Sequence, residues 1–540
     1  MFGHFGGTPV IFCREITVVI AQHRLPRKTG ARVDLQQTKC DCRHRPHGYF
    51  NSSNNGPLVP SRQREYSWHR PLNHFIFMSH TTFLPLGLVF LIVLIPTVHA
   101  AGDRIEMNWK RDSGDSWSTS ELRTLEELTG FEVRQSPSPL SRFGGAADRD
   151  RREATGFFRT EKIDGRWWTI DPEGYPYIHM GLTSVRPARH QVSRALFEEK
   201  FGDTETWAVA TTELMRELGF NEIGRWSRIE ALNSVENRLP YTTSLMFMGD
   251  FGRKLEAVRP SYGHLRYPEN AIPVFHEEFE KFAIDYAREH LAGLEEDPWL
   301  VGHFTDNELP VPRNLLERTL AVDPGDPVLG DNVKEAWRWF RERRGANVSA
   351  DEVSEDDNLD WLGHVMDRYY EITTAAIRRF GPNHMNLGSR LHGAGPHIPQ
   401  VVEAAGRHLD IVSINYYNIW QPADRHLQRW ADHSDAPVII TEFYVKGEDA
   451  AEDFGLRNEL GAGWIVPTQA DRGRWYQGFT LRLLEAPHVA GWQYFKYSDE
   501  ADDSNKGILD PHYDRFEPFT ERMAPIHHNA YRLIDYFEEQ

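Results

Sequence analysis

Two short runs in this sequence carry residues able to do nucleophilic and acid–base work. The first, Trp299-Leu300-Val301-Gly302-His303-Phe304-Thr305-Asp306-Asn307-Glu308, is apolar and ends in Asn-Glu. The second, Pro437-Val438-Ile439-Ile440-Thr441-Glu442-Phe443, is apolar and ends in Glu. Two carboxyl groups held about 5–5.5 Å apart can break a glycosidic bond with retention of configuration. One attacks the anomeric carbon, and the other protonates the leaving oxygen and later takes a proton from water. The division requires unlike surroundings. Hydrogen bonds keep the attacking group ionised, whereas burial beside a negative charge keeps its partner protonated. A lone Glu at a strand end also serves to cap a helix or bind an arginine, so the pair carries the reading and neither member does alone.

Something must bring the two runs together. Over residues 156–540, short apolar runs alternate with long amphipathic ones. The predicted strands are Tyr177–Ser184, Asn221–Trp226, Thr243–Phe247, Leu300–Thr305, Met385–Arg390, Ile411–Tyr416, Val438–Thr441 and Val489–Phe495. The predicted helices include Thr206–Leu218, Val274–Leu294, Asp360–Phe380, Ile398–His408, Gln469–Glu485 and Glu521–Phe537. In Val274–Leu294, the residues Phe275, Phe279, Phe282, Tyr286 and His290 recur at helical spacing and predict one face against a sheet. This alternation predicts an α/β fold, a (β/α)8 TIM barrel with a short N-terminal extension and enlarged loops. Ahead of it, Asp164-Gly165 between Phe157–Thr160 and Arg166–Ile170 predicts a hairpin. A doubly wound open sheet lacks the Gly-rich strand-to-helix turn it would need for a nucleotide. Barrel enzymes keep their chemistry at the C-terminal ends of the strands, and the two glutamates close the fourth and seventh.

Other strand ends supply candidates for holding a sugar. Trp492 closes the eighth strand, where an indole face would stack on a pyranose. Tyr416 follows the sixth and would orient Glu442 by a hydrogen bond. Arg390 and His392 follow the fifth, and Arg225 and Trp226 the second. Core packing explains such aromatics equally well, and structural ion pairs explain such arginines. Rival chemistries are thin. His276-Glu277-Glu278 lacks the second histidine of a zinc protease, and no G-x-S-x-G occurs. The acidic run Asp499-Glu500-Ala501-Asp502-Asp503 misses the EF-hand spacing for calcium. Neither an organic cofactor nor a catalytic metal is expected.

Charge and cysteine are unevenly spread over the 540 residues. Residues 1–77 contain 11 Lys/Arg, 4 Asp/Glu and all three cysteines, and residues 78–100 contain no Lys, Arg, Asp or Glu. Residues 101–540 contain 50 basic and 75 acidic groups and no cysteine. So acidic a body disfavours nucleic acid and anionic membranes as partners. With 16 Trp, 30 Phe and 19 Tyr, the composition excludes a disordered chain. The apolar run from Phe83 to Ile95 suits a signal-peptide core and is short for a membrane span, and Val98-His99-Ala100 suits cleavage before Ala101. We therefore expect residues 1–77 to be a mis-annotated or disordered lead, 78–100 a signal peptide, 101–155 a linker and N-terminal cap, and 156–540 the barrel. The expected product is secreted or periplasmic, without stable membrane association after cleavage. Cys40 and Cys42 with His44 and His47 form too sparse a pattern for zinc.

Several stretches resemble a known family. The placement of Asn307-Glu308 and Glu442 resembles glycoside hydrolase clan A, whose members carry the acid/base and the nucleophile after strands four and seven. Within that clan, Gly165-Arg166-Trp167-Trp168, Asp171-Pro172-Glu173-Gly174, Thr305-Asp306-Asn307-Glu308, Val466-Pro467-Thr468-Gln469-Ala470-Asp471-Arg472 and Gly491-Trp492-Gln493-Tyr494-Phe495 are similar to β-agarases of the family 50 type. The resemblance covers roughly residues 155–520. It implies a retaining β-glycoside hydrolase acting on a β-linked galactan, an agarose-like algal polysaccharide or oligosaccharide. In this reading Glu308 is the acid/base, Glu442 the nucleophile, and Asn307 the partner of the sugar 2-OH. The alternatives are a cellulase- or mannanase-like member of the same clan, an exo-β-galactosidase, and, from a different class, a catalytically inactive carbohydrate-binding barrel.

Overall fold

The structure, a computed structural model, describes residues 104–540 apart from 262, 263 and 502. The expected lead, the signal peptide and the Cys40/Cys42 cluster lie outside the described residues.

Eight parallel strands form one sheet. We number them β1 (His179–Leu182), β2 (Glu222–Ile223), β3 (Tyr241–Leu245), β4 (Leu300–Thr305), β5 (Met385–Gly388), β6 (Val412–Asn415), β7 (Val438–Glu442) and β8 (Val489–Tyr494). Their order is β5-β4-β3-β2-β1-β8-β7-β6. The ring closes between β5 and β6, where the Leu391 N–H donates to Ser413 O (2.8 Å) and the Asn415 N–H to Leu391 O (2.9 Å). This is the expected TIM barrel.

Seven helices bear on the site: α1 (Gln191–Phe201), α2 (Thr204–Glu217), α3 (Phe247–Lys254), α4 (Phe279–Leu291), α5 (Glu355–Phe380), α6 (Gln469–Glu485) and α7 (Glu517–Glu538). Among the described residues no helix is long and apolar enough to cross a membrane. In α4 the fully buried line is Phe279, Ala283, Ala287 and Leu291, and the expected aromatic face only flanks it. Alanines at the centre of the stripe let the helix approach the sheet closely, and the larger rings fill its margins.

Some boundaries moved for tertiary reasons. Phe247, expected in a strand, begins α3, because the Asp306 carboxylate at the end of β4 accepts the Met248 and Gly249 N–H groups at 2.8 and 2.7 Å. A residue distant in sequence thus caps that helix. Within the expected linker and cap, Ser118–Leu122 forms a strand paired with Ile105–Trp109, followed by one 3-10 turn. Residues 104–155 hold to the barrel: Met107 and Leu122 are buried, and Asn529 of α7 hydrogen-bonds both the N–H and the C=O of Arg134. The predicted hairpin is present as Arg159–Ile163 with Arg166–Ile170, turning through Asp164 and Gly165 at φ 50° and 91°.

Phe304, Val301, Leu387 and Ile439 line the barrel interior with Phe143 and Phe158 from ahead of β1. Beside them lies a buried polar set. The Glu222 carboxylate takes His179 Nδ1 on one oxygen and Gln493 Nε2 on the other, each at 2.5 Å.

Candidate active site

The loop after β4 is held in a conformation that side chains rarely adopt. Asp306 and Glu308 have φ of 58° and 54°, and such strain persists only where the surroundings enforce it. Here they do. Asp306 is buried, caps α3, and accepts the Tyr369 hydroxyl from α5 at 2.7 Å. Burial raises its carboxyl to about 6. The Glu308 N–H donates to Ser389 O at 3.0 Å.

Glu308 and Glu442 both stand at the C-terminal mouth, each with its side chain less than a tenth exposed. Glu308 Oε1 accepts Asn415 Nδ2 at 2.6 Å, and Oε2 lies 2.8 Å from His264 Nδ1. His392 Nδ1 is 3.7 Å from Oε1. Burial by itself would raise the Glu308 carboxyl. The hydrogen bond from His264 and the charge of His392 outweigh that and hold it at about 2, so Glu308 stands ionised and not, as expected of the acid/base, protonated by burial. The same hydrogen bond raises His264 above the ordinary histidine value.

Glu442 has a different set of neighbours. Its Oε2 accepts the Tyr417 hydroxyl at 2.7 Å, and its Oε1 accepts an Arg390 guanidinium N–H and, at 3.4 Å, Trp226 Nε1. Burial, then the negative charge of Glu442, pushes the Tyr417 hydroxyl far above the usual tyrosine range, so it remains a donor. Arg390 is fully buried at φ 54° and sits over the Phe304 ring. Its Nε donates to Asn307 Oδ1 at 2.8 Å while its Nη2 serves Glu442. One rigid guanidinium therefore ties the residue beside Glu308 to Glu442. Arg225 is buried beneath Trp226, its guanidinium 4.1 Å from the indole centroid, and donates to Asp306 O and to Met246 Sδ. Burial and then the Arg390 charge lower it to about 9.

Of the residues singled out in the sequence, Glu308, Glu442, Asn307, Arg390, His392, Arg225 and Trp226 come together at this mouth. Two do not. The Tyr416 hydroxyl bonds His426 Nδ1 at 2.7 Å, in the layer between barrel and helices, and it is Tyr417 that reaches Glu442. Trp492 is fully buried, with its Nε1 donating to the Tyr476 hydroxyl of α6 at 2.7 Å, so its ring cannot stack on a sugar. Strand alternation explains both, since a shift of one residue turns a side chain to the other face of the sheet. Missed from the sequence were His264, Asn415, Tyr417 and Asp306. Alternation along Asn415-Tyr416-Tyr417 would have picked out the outer pair. His264 sits on a small hairpin (Arg259–Ser261 with His264–Arg266) inside a long loop, and no pattern marks it.

The acidic run at 499–503 is already occupied. Asp499 accepts Asn505 Nδ2 and the N–H groups of Lys506 and Gly507, Glu500 accepts those of Arg189 and His190, and Asp503 pairs with Lys496 and Lys506. Asp502 lies outside the described residues. Among the described residues no group of three or more His, Cys, Asp or Glu side chains could hold a metal ion.

No protein-family model matches the chain. It is 20% identical over 554 residues to β-agarase B of Vibrio sp. strain JT0107, an alignment covering 82% of this chain and 56% of that protein. It is also 24% identical over 367 residues to β-agarase A of the same strain, covering 61% of this chain and 35% of that one. The chain is a homologue of β-agarases. It spans about half the length of the β-agarase B it matches and about a third of β-agarase A. Among solved structures, BpGH50 is similar at 29% identity with a TM-score of 0.72, covering 81% of this chain and 96% of that one. The fold is also that of PfGH50B, at 22% identity and a TM-score of 0.62, covering 74% of this chain and 70% of that chain. These likenesses support a relationship to glycoside hydrolase family 50.

Proposed function

We propose that this protein is a secreted β-glycoside hydrolase that cleaves a β-linked, agarose-like galactan with retention of configuration, using Glu442 as nucleophile and Glu308 as acid/base. The observation that carries the reading is Arg390, which ties Asn307 beside Glu308 to Glu442 across the barrel mouth. The homology to β-agarases supports the substrate class. The ends of β4 and β7 are also the positions that clan A enzymes use.

Glu442 is suited to attack. Arg390, Tyr417 and Trp226 all donate to it, which fixes its direction. Attack on the anomeric carbon expels the glycosidic oxygen, which takes a proton from Glu308. Water then displaces Glu442 while Glu308 accepts the water's proton. Asn307 has its oxygen engaged by Arg390, so its NH2 is the group presented to the sugar 2-OH. The proton for the first step is carried by the His264–Glu308 pair. With the mouth open to solvent, the charged form, imidazolium and carboxylate, is favoured. A sugar covering the pair removes water, and the neutral form, imidazole and carboxylic acid, gains.

Single substitutions at the two glutamates test the assignment. Glu442→Ala prevents the glycosyl-enzyme from forming, and activity falls by several orders of magnitude on every substrate. Glu308→Ala loses a proton-transfer contribution of roughly 10²–10⁴. An aryl glycoside with a good leaving group escapes much of that loss in the first step and shows a burst. Azide then accelerates turnover and yields the β-glycosyl azide, whereas the Glu442 variant yields the α-azide. The reverse anomers would exchange the two roles, and unharmed activity in both variants would reject the reading.

A further inference from the structure

Next to the mouth, a cleft of about 440 Å³ is lined by Arg186, Arg189, Arg194, Arg228 and Trp226. Its size falls within the range of about 300–1,000 Å³ common for small-ligand sites. Four arginines around one concavity stand out in a stretch, residues 101–540, where acidic groups outnumber basic ones 75 to 50. Among the described residues little of this charge is neutralised. Arg186 pairs with Glu500 at 3.2 Å, and both Glu500 oxygens are engaged, Oε2 by the N–H groups of Arg189 and His190. Arg228 is 3.9 Å from Glu230, a side chain 90% exposed, where an ion pair contributes little. Arg189 and Arg194 are exposed and, among the described residues, have no carboxylate within ion-pair distance.

Trp226 connects this cleft to the chemistry. It holds φ 69°, a conformation an L side chain rarely takes, and this places its indole in the wall of the cleft with Nε1 3.4 Å from Glu442 Oε1. The ring that forms part of the cleft wall is therefore the one that reaches the carboxylate proposed to attack the sugar. Arginine matches such a ligand, since its planar fork of N–H donors fits the oxygens of a sulfate or a carboxylate two at a time.

We propose that this cleft is a subsite for an anionic substituent, a sulfate ester or a carboxylate, on a sugar neighbouring the one that is cleaved. The proposal rests on the galactan-hydrolase reading above and narrows its substrate to an acidic galactan.

The test compares the full enzyme on three matched oligosaccharides: a sulfated galactan fragment, the same fragment desulfated, and one bearing a uronate. We expect kcat/KM for the preferred anionic fragment to exceed that for the neutral one by about tenfold or more. Which anion is preferred distinguishes sulfate from carboxylate. In Arg189→Gln/Arg194→Gln, checked for unchanged melting temperature, the ratio of anionic to neutral kcat/KM should fall towards one. Near 1 M salt, where the Debye length is about 3 Å, the wild-type ratio should fall in the same way. Equal rates on all three fragments in the wild type, or equal losses on all three in the variant, would overturn the proposal. If the wild type cleaves no galactan, the hydrolase reading fails first. Calorimetric binding of the sulfated fragment to the wild type and not to the double variant would then still support the cleft, and no binding to either would overturn it.

Discussion

At Glu308 burial and hydrogen bonding pull in opposite directions, and His264 decides the result. The carboxyl is held at about 2 while His264 is raised, so in the proposed mechanism the proton for leaving-group departure rests on the imidazole until substrate arrives. Among the described residues His392, Glu442 and Tyr417 are ionisable groups facing the pair, and Asn415 adds a neutral donor. The sign of the pH effect follows. In the wild type the proton is lost as pH rises through the raised His264 value. In His264→Ala it must sit on Glu308 itself, a carboxyl still flanked by His392 and Asn415, which releases it at lower pH. The basic limb of the kcat/KM profile should therefore move to lower pH in this variant, with kcat at the optimum reduced. A limb that stays in place would show that His264 does not carry the proton.

At the scale of elements, strand parity assigns the tyrosines. Tyr417 projects into the mouth towards Glu442, and Tyr416 projects between sheet and helices onto His426 and Trp430. Hydrogen bonds to charged groups contribute about 1.5–3 kcal/mol. Tyr417→Phe should therefore lower kcat roughly ten- to a hundredfold. Tyr416→Phe removes a neutral hydrogen bond of about 1 kcal/mol. It should lower the melting temperature by only about 1 °C and leave kcat within about twofold, and steady-state kinetics in which Tyr416→Phe is the slower of the two variants would reject the assignment. Parity was legible in principle, because Asn415 and Tyr417 are two residues apart and face one way. The identity of α3 was not. Nothing local marks Phe247 as a helix start, since its cap is a carboxylate 59 positions further along the chain.

For the whole molecule, closing the ring between β5 and β6 is what turns separate strand ends into one mouth. The acidic body repels polyanions at a distance, yet the arginine cleft offers a local exception where a short acidic oligosaccharide can bind. If the protein is exported as proposed, the mature form begins near Ala101 and retains residues 104–155, which the barrel and α7 hold in place. N-terminal sequencing of protein recovered from the culture medium should start within a few residues of Ala101. A cell-retained product still carrying residues 1–77 would contradict export.

The sequence by itself determined the alternation of strands and helices, the turn at Asp164-Gly165, and the two carboxylates at the ends of β4 and β7. Each of these is written in periodicity or in chemistry over a few consecutive residues, which is the range a pattern can cover. Which aromatic rings face the sugar, and which donors reach each carboxylate, only the tertiary structure decided. Trp492 and Trp226 read alike in one dimension, but one is sealed against Tyr476 and the other reaches Glu442. His264, Arg390 and Asn307 come from three distant loops, and their effects on Glu308 and Glu442 depend on separations of about 3 Å. Hydrogen bonds and local fields act over such distances in space, and distance in space between remote residues exists only once the barrel has closed.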